Sequence, residues 1–272
     1  MGGATERDVV MRPRDVAVTV YLTAAIVFIF LPVAILVQYS FQDGLVPVPP
    51  FRGFSLRWWE AMLANRRLME ALGNSVIVGA ASSFAAVAIG FLAAYGLART
   101  QPRHAGRAQF ALMAPLTVPY IIIALGLLST FGAIGIGRSL VTVGIGHAVI
   151  NLPLCFAIVY SQLGAHQANI ERAAHDLGAS DLRALLLVTI PMLWPALLAA
   201  FFIAFTLSWD EFVIAFLLSR FDVTLPVVIW NMLNARLDPT LNAVGTLVFA
   251  TSVGLVIVVA LLLSGGGRRH RG

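Results

Sequence analysis

Six apolar runs, each long enough to cross a bilayer as a helix, constrain this chain more than any other feature. They lie at about 16–37, 75–97, 108–130, 139–163, 192–217 and 243–263. A hydrocarbon core takes about 20 residues of helix. Within lipid, a helix satisfies all of its backbone polar groups internally. The expected fold class is an all-α membrane protein with six transmembrane helices. Composition agrees: 59% of the 272 residues are hydrophobic and 11% are charged, against about 25% charged in a soluble domain. The first run is read as a retained span, because no small-residue cleavage site follows a short apolar core. The expected organisation is a tail at 1–15, a transmembrane domain at 16–263 and a second tail at 264–272.

Six spans put both termini on one side. All 18 basic residues are arginine. Eleven fall at the termini and in the even-numbered connections: Arg7, Arg12, Arg14, Arg99, Arg103, Arg107, Arg172, Arg183, Arg268, Arg269 and Arg271. Seven fall in the odd-numbered connections: Arg52, Arg57, Arg66, Arg67, Arg138, Arg220 and Arg236. The positive-inside rule places the first set, and both termini, in the cytoplasm. The sequence pI near 10.1 is explained by arginines flanking spans, so no nucleic-acid partner is expected.

The most polar piece of the middle is ERAAHDLGAS, residues 171–180, between spans four and five. Residues 170–177 read as a helix, and Gly178 ends or bends it. A second short helix from about 180 should run to a break at Thr189-Ile190-Pro191. The product is a helix–turn–helix elbow over 166–190 on the cytoplasmic face. On the other side, SLRWWEAMLANRRLMEAL places Leu56, Trp59, Met62 and Leu63 on one helical face, which reads as an interfacial amphipathic helix. Residues 218–242 predict a short helix or re-entrant piece between Pro226 and Pro239. In span two, Gly79, Ser83, Ala86, Gly90 and Ala94 form a small-residue stripe suited to close helix packing within the subunit, with a subunit interface as the alternative.

Catalytic and metal chemistry is not signalled. The lone Cys155 lies in an apolar run and reads as a small hydrophobe. His104, His147, His166, His175 and His270 show no ligand spacing, and no HExxH occurs, so no metal is expected. Gly132 to Ser139 approximates a phosphate-binding loop, but Arg138 stands in place of Lys and the segment is an outer connection. It reads as a Gly-rich turn. The chain is therefore not expected to be an enzyme or to hydrolyse ATP.

Glu171-x-Ala173-Ala174-x-Asp176-Leu177-Gly178-Ala179, followed twelve residues later by Ile190-Pro191, resembles the cytoplasmic loop of ABC importer permeases. These are inner-membrane components of binding-protein-dependent transport systems with the MetI-like, type I fold. Where that family commonly has Glu directly before Ala-Ala, this chain has Arg172. The resemblance implies that the elbow is a coupling helix docking on an ATPase subunit through Glu171, Arg172, Ala173, Ala174, Asp176, Gly178, Ala179 and Pro191. It also implies a multi-pass protein of the bacterial inner membrane, in contact with lipid. Its partners would be two ATPase subunits holding ATP and Mg, a second and similar permease subunit, and an extracytoplasmic binding protein docking on 38–74 and 218–242. No cofactor is expected on this chain itself. NSVIVGAASS (74–83), AYGLART (94–100), SWDEFVIAFLLS (208–219) and the stretch 224–247 are similar to the second permease of spermidine/putrescine-type systems. That similarity implies import of polyamines or a related small cation by alternating access.

Asp210 and Glu211 are the only acidic residues inside an apolar run. Carboxylates at membrane depth cost several kcal/mol and mark a pathway or a partner. For a polyamine the pair would line the substrate path, with Trp209 adding a cation–π face. The alternative is a structural pair bound to arginine or backbone. Adjacent helical residues diverge by about 100°, so one residue, Asp210, is expected to face the path. Another small solute, or an ion-coupled secondary transporter, are the alternative functions. The latter predicts broken helices near mid-membrane and leaves the elbow unexplained.

Overall fold

The computed structural model describes residues 13–44, 51, 53–100, 102–235 and 238–268. Arg7, Arg12, Arg52, Arg236, Arg269, Arg271 and His270 lie outside the described residues, with most of the first tail and the last four residues of the second.

Twelve α-helices follow in order among the described residues: α1 (Pro13–Ser40), α2 (Arg57–Ala64), α3 (Arg66–Thr100), α4 (Ala105–Met113), α5 (Tyr120–Ala133), α6 (Leu140–Gln162), α7 (Ala165–Asp176), α8 (Asp181–Ala184), α9 (Ile190–Trp209), α10 (Val213–Leu218), α11 (Leu225–Ala235) and α12 (Thr240–Arg268). Five stretches are long and apolar enough to span a membrane: Val16–Ser40, Arg66–Thr100, Leu140–Gln162, Asp181–Trp209 and Thr240–Leu261. A sixth is broken. Ala105–Thr117 and Tyr120–Ala133 meet at an angle of 102°. The span expected at 108–130 is present as this bent pair. Its cause is local: a 3₁₀ turn over Ala114–Thr117 with Pro115 near its start, then Pro119 at the N-cap of α5. Proline lacks the N–H that a continuous helix needs there.

The second arm of the elbow also differs from expectation. Pro191 does not break the chain. Asp181–Trp209 forms one stretch, because a π-turn at Leu185–Thr189 widens the helix just before the proline. The wider turn makes room for the ring and the missing N–H.

α3, α6 and α9 form the centre, with α12 against α9 and α1 against α12. The small-residue stripe of α3 faces inward: Ser83, Ala86 and Ala94 are fully buried. A Cβ on Gly90 would sit 2.9 Å from the Phe156 amide nitrogen and 3.2 Å from Cys155 Cβ. That approach lets α3 and α6 pack nearly backbone to backbone. Buried clusters are layered along the bundle. Phe91, Leu97, Phe156, Val159 and Leu193 lie at the elbow end. Ala86, Cys155, Ala200 and Ala204 lie in the middle. At the far end are Val78, Val143, Ile150 and Ile214 in one cluster, and Met62, Leu68, Trp209, Leu225 and Val244 in another.

α2 is less interfacial than its pattern implies. Met62 is buried, Trp59 stacks on Phe41 at 5.6 Å, and Trp58 Nε1 donates to the Gln42 carbonyl at 2.9 Å. Leu56 and Leu63 are exposed instead. Residues 218–242 do contain a short helix, α11, docked on α3. Ser75 Oγ accepts from the Leu225 amide at 2.8 Å, and Asn74 Nδ2 donates to the Val223 carbonyl at 3.1 Å.

Candidate functional site

Two places in the bundle carry polar chemistry: the elbow at one end, and an interruption of the fifth span toward the other.

The elbow is built by α7, Gly178 and α8. Gly178 has φ +85°, a conformation that costs an L-residue about 1 kcal/mol or more. Its amide donates to His175 O at 2.8 Å, and the Ala179 amide donates to Ala174 O at 3.0 Å. This is a Schellman end, with glycine at the position that needs a positive φ. His175 Nδ1 donates to Ala179 O at 2.9 Å, which fixes the turn from the side.

Glu171 does not point outward. It is 5% exposed and takes a bidentate pair from Arg99 at the end of α3, with Nε–Oε2 2.6 Å and Nη2–Oε1 2.9 Å. Thr189 Oγ1, in the π-turn, donates to the same carboxylate at 2.6 Å. One side chain therefore ties the elbow to α3 and to the root of α9. Burial alone would raise the Glu171 carboxyl pKa; the hydrogen bonds from Arg99 and Thr189 more than offset this and hold it below its usual value. The residues left on the surface are Arg172, Ala173, His175, Asp176, Leu177 and Gly178, while Ala174 and Ala179 are half-buried. Arg172 bonds only to its own helix, at Ala168 O and Asn169 Oδ1. Pro191 is exposed at the start of α9.

The second place is Trp209–Phe212. The run 192–217 is not one helix: α9 ends at Trp209 and α10 starts at Val213. Glu211 explains the new start. It is 6% exposed and accepts three amides: Val213 on Oε1 at 3.0 Å, Ile214 on Oε2 at 2.9 Å and Ala215 on Oε2 at 3.2 Å. A carboxylate at a helix N-terminus satisfies donors that have no partner inside the helix. Behind it stands His147 of α6, fully buried, with Nε2 3.4 Å from Glu211 Oε2 and Nδ1 2.6 Å from Ser208 Oγ. Ser208 in turn lies 3.2 Å from Ser82 Oγ of α3. The far end of α10 is tied to α6 as well. The Leu218 carbonyl accepts from the Ser139 amide and from Thr142 Oγ1, both at 3.0 Å. Trp209 is buried and stacks on Phe205 at 6.3 Å. Asp210 alone of the four is exposed, with Ser252 of α12 as its polar neighbour.

The structure thus separates the residues grouped by sequence. Glu171 and Glu211 are absorbed into structural networks, while Asp210 and the Arg172–Gly178 surface stay open. His147 and Ser208 were not singled out as site residues by sequence reasoning, because they are 61 positions apart and only the fold joins them.

No protein-family model matches the chain. It is 33% identical over 261 residues to the putrescine transport system permease protein PotI of Escherichia coli K12, covering 93% of this chain and 92% of that protein. The chain belongs to the ABC importer permease family. Spermidine/putrescine permease proteins PotC are further relatives of this permease. The E. coli K12 protein is 29% identical over 89% of this chain and 92% of its own length. The Haemophilus influenzae protein is 27% identical over 86% and 91%. A solved bacterial ABC transporter involved in import of the acidic polysaccharide alginate matches the fold with a TM-score of 0.70. It is 18% identical and covers 97% of this chain and 99% of that one. The permease is a multi-pass membrane protein of all-α architecture, with the elbow between its fourth and fifth spans.

Proposed function

We propose that this permease subunit carries putrescine or spermidine across the bacterial inner membrane, from an extracytoplasmic binding protein to the cytoplasm, by alternating access. Identity to a putrescine permease across 93% of the chain carries the reading. ATP and Mg belong to two partner ATPase subunits, and a second, similar permease completes the path. Both termini and the elbow lie in the cytoplasm, where the arginine bias supports them.

The exposed surface Arg172–Gly178 is the docking face for the ATPase. ATP-driven closure moves α7. Because Glu171 locks α7 to Arg99 and Thr189, the push reaches α3 and α9 together as a rigid-body displacement. At the other place, Asp210 offers its carboxylate to a substrate ammonium. Glu211 and Trp209 set where Asp210 stands rather than touching the cation themselves. An exposed carboxylate beside a helix break suits a cation moving along the bundle, since it offsets part of the desolvation cost.

Uptake of labelled putrescine and spermidine, in cells with and without this chain and with all other components present, tests the reading. Loss of uptake without the chain is expected. Unchanged polyamine uptake would reject the substrate assignment and redirect attention to the ligand of the binding protein. Asp210→Asn should raise the KM for uptake; identical kinetics would remove Asp210 from the path.

A further inference from the structure

The end of the bundle opposite the elbow gathers three arginines around one pocket that the transport path does not use. A pocket of about 430 Å³ is lined by Arg67 at the start of α3, Arg138 in the turn before α6 and Arg220 just after α10, with Phe216 and Phe221 beside them. All three arginines are exposed, and none is among the ion pairs formed by the described residues. Neighbouring Arg66 differs, since its Nε pairs with Glu70 at 2.7 Å. The guanidinium of Arg220 rests 4.7 Å over the Phe221 ring, and Phe221 is itself 82% exposed.

The pocket lining holds three guanidinium groups from three separate elements and no carboxylate, Asp222 standing outside it, so the lining repels a polyamine. The pocket is therefore not a stage of the cation's path. Its chemistry suits carboxylates, which the planar guanidinium fork receives two hydrogen bonds at a time. Exposed aromatics beside arginine also match the composition of binding hot spots. A protein that captures a di- or trivalent cation needs carboxylates in its cleft, and acidic groups at the mouth of that cleft would complement this pocket.

We infer that the Arg67–Arg138–Arg220 pocket seats acidic side chains of the extracytoplasmic binding protein, with Phe221 as the apolar anchor beside them. This rests on the polyamine reading above and adds the surface and its chemistry. Arg138 lies outside the two connections that sequence alone suggested for docking.

The test uses the complete importer in nanodiscs of neutral lipid, with the putrescine-loaded binding protein of the same system as the probe. Assembly with the ATPases and basal ATP hydrolysis verify each variant. Arg67→Gln/Arg138→Gln/Arg220→Gln should weaken binding about tenfold or more, chiefly through slower association, and flatten its salt dependence. Arg66→Gln should change neither. Should the triple variant fail to assemble, a photo-crosslinker at Phe221 replaces it, and crosslinks to acidic segments of the binding protein are expected. Binding and salt dependence equal to wild type, or crosslinks to the partner permease alone, would overturn the inference. So would a triple variant whose only defect is weaker retention of anionic lipid, measured in nanodiscs containing it. If the wild-type complex moves putrescine while the triple variant docks normally, this inference fails alone. If the wild-type complex does not move putrescine, the polyamine reading fails first and takes this one with it.

Discussion

Glu171 shows how one atom group can couple two functions. Its carboxylate accepts from Arg99 and Thr189, so Glu171→Gln replaces a charge-assisted bidentate pair with a weaker, partly mismatched one. A loss of about 2 kcal/mol is expected, read as a lower Tm of the purified complex. Uptake should fall more than ATP hydrolysis, because the elbow still docks but transmits less. The pH dependence has a definite sign. The folded carboxyl pKa lies below the unfolded value of about 4.3, so this contribution is complete above that pH. It disappears as pH falls through the folded value. A wild-type Tm that drops below about pH 4 more steeply than that of Glu171→Gln is the expected result; parallel curves would show that the pair contributes nothing. The His147–Glu211 couple belongs to the same scale. Glu211→Ala leaves three amides of α10 without their acceptor beside the buried His147. A cost of about 2–3 kcal/mol follows from leaving buried amide donors unsatisfied. Asp210→Ala, at an exposed site, should leave stability within about 0.5 kcal/mol of wild type while impairing uptake.

At the scale of elements, hydropathy made the spans legible and hid their interruptions. A run such as 108–130 or 192–217 has the same average whether it is straight or broken. The bend between α4 and α5 came from Pro115 and Pro119, and the end of α9 from a carboxylate that caps the next helix. The elbow was the most legible part, because glycine with a positive φ leaves a local mark in sequence. The inward turn of Glu171 was not legible, since it depends on Arg99, 72 positions away. Two glycines test the element geometry. Gly90→Ala places a methyl 2.9 Å from a backbone nitrogen that cannot rotate away. It should cost about 1–3 kcal/mol by forcing α3 from α6, measured as a lower Tm. Gly178→Ala meets open space but must adopt φ near +85°. It should cost only about 1 kcal/mol and show its main effect as uptake lost relative to ATP hydrolysis. If Gly178→Ala transports normally, the elbow does not need that turn angle.

Over the whole molecule the decisive relation is which end faces which compartment. Helix alternation puts Arg99, Arg103, Arg107, Arg172 and Arg183 at the elbow end, and Arg57, Arg66, Arg67, Arg138 and Arg220 at the other. These two sets are equal at five each, so the charge bias rests on the terminal arginines and orients the chain weakly. Function adds a stronger demand. A coupling surface must meet ATP, which is cytoplasmic, and an arginine pocket that receives a binding protein must face outward. The single native cysteine makes this testable, because Cys155 is fully buried. In a Cys155→Ala background, Asp176→Cys at the elbow should react with a membrane-impermeant maleimide only in inverted vesicles. Asp222→Cys, exposed beside the arginine pocket, should react in spheroplasts. The opposite pattern would place the elbow outside, where no ATPase can reach it. The coupling role and the docking role would then fall together, since both rest on the same orientation.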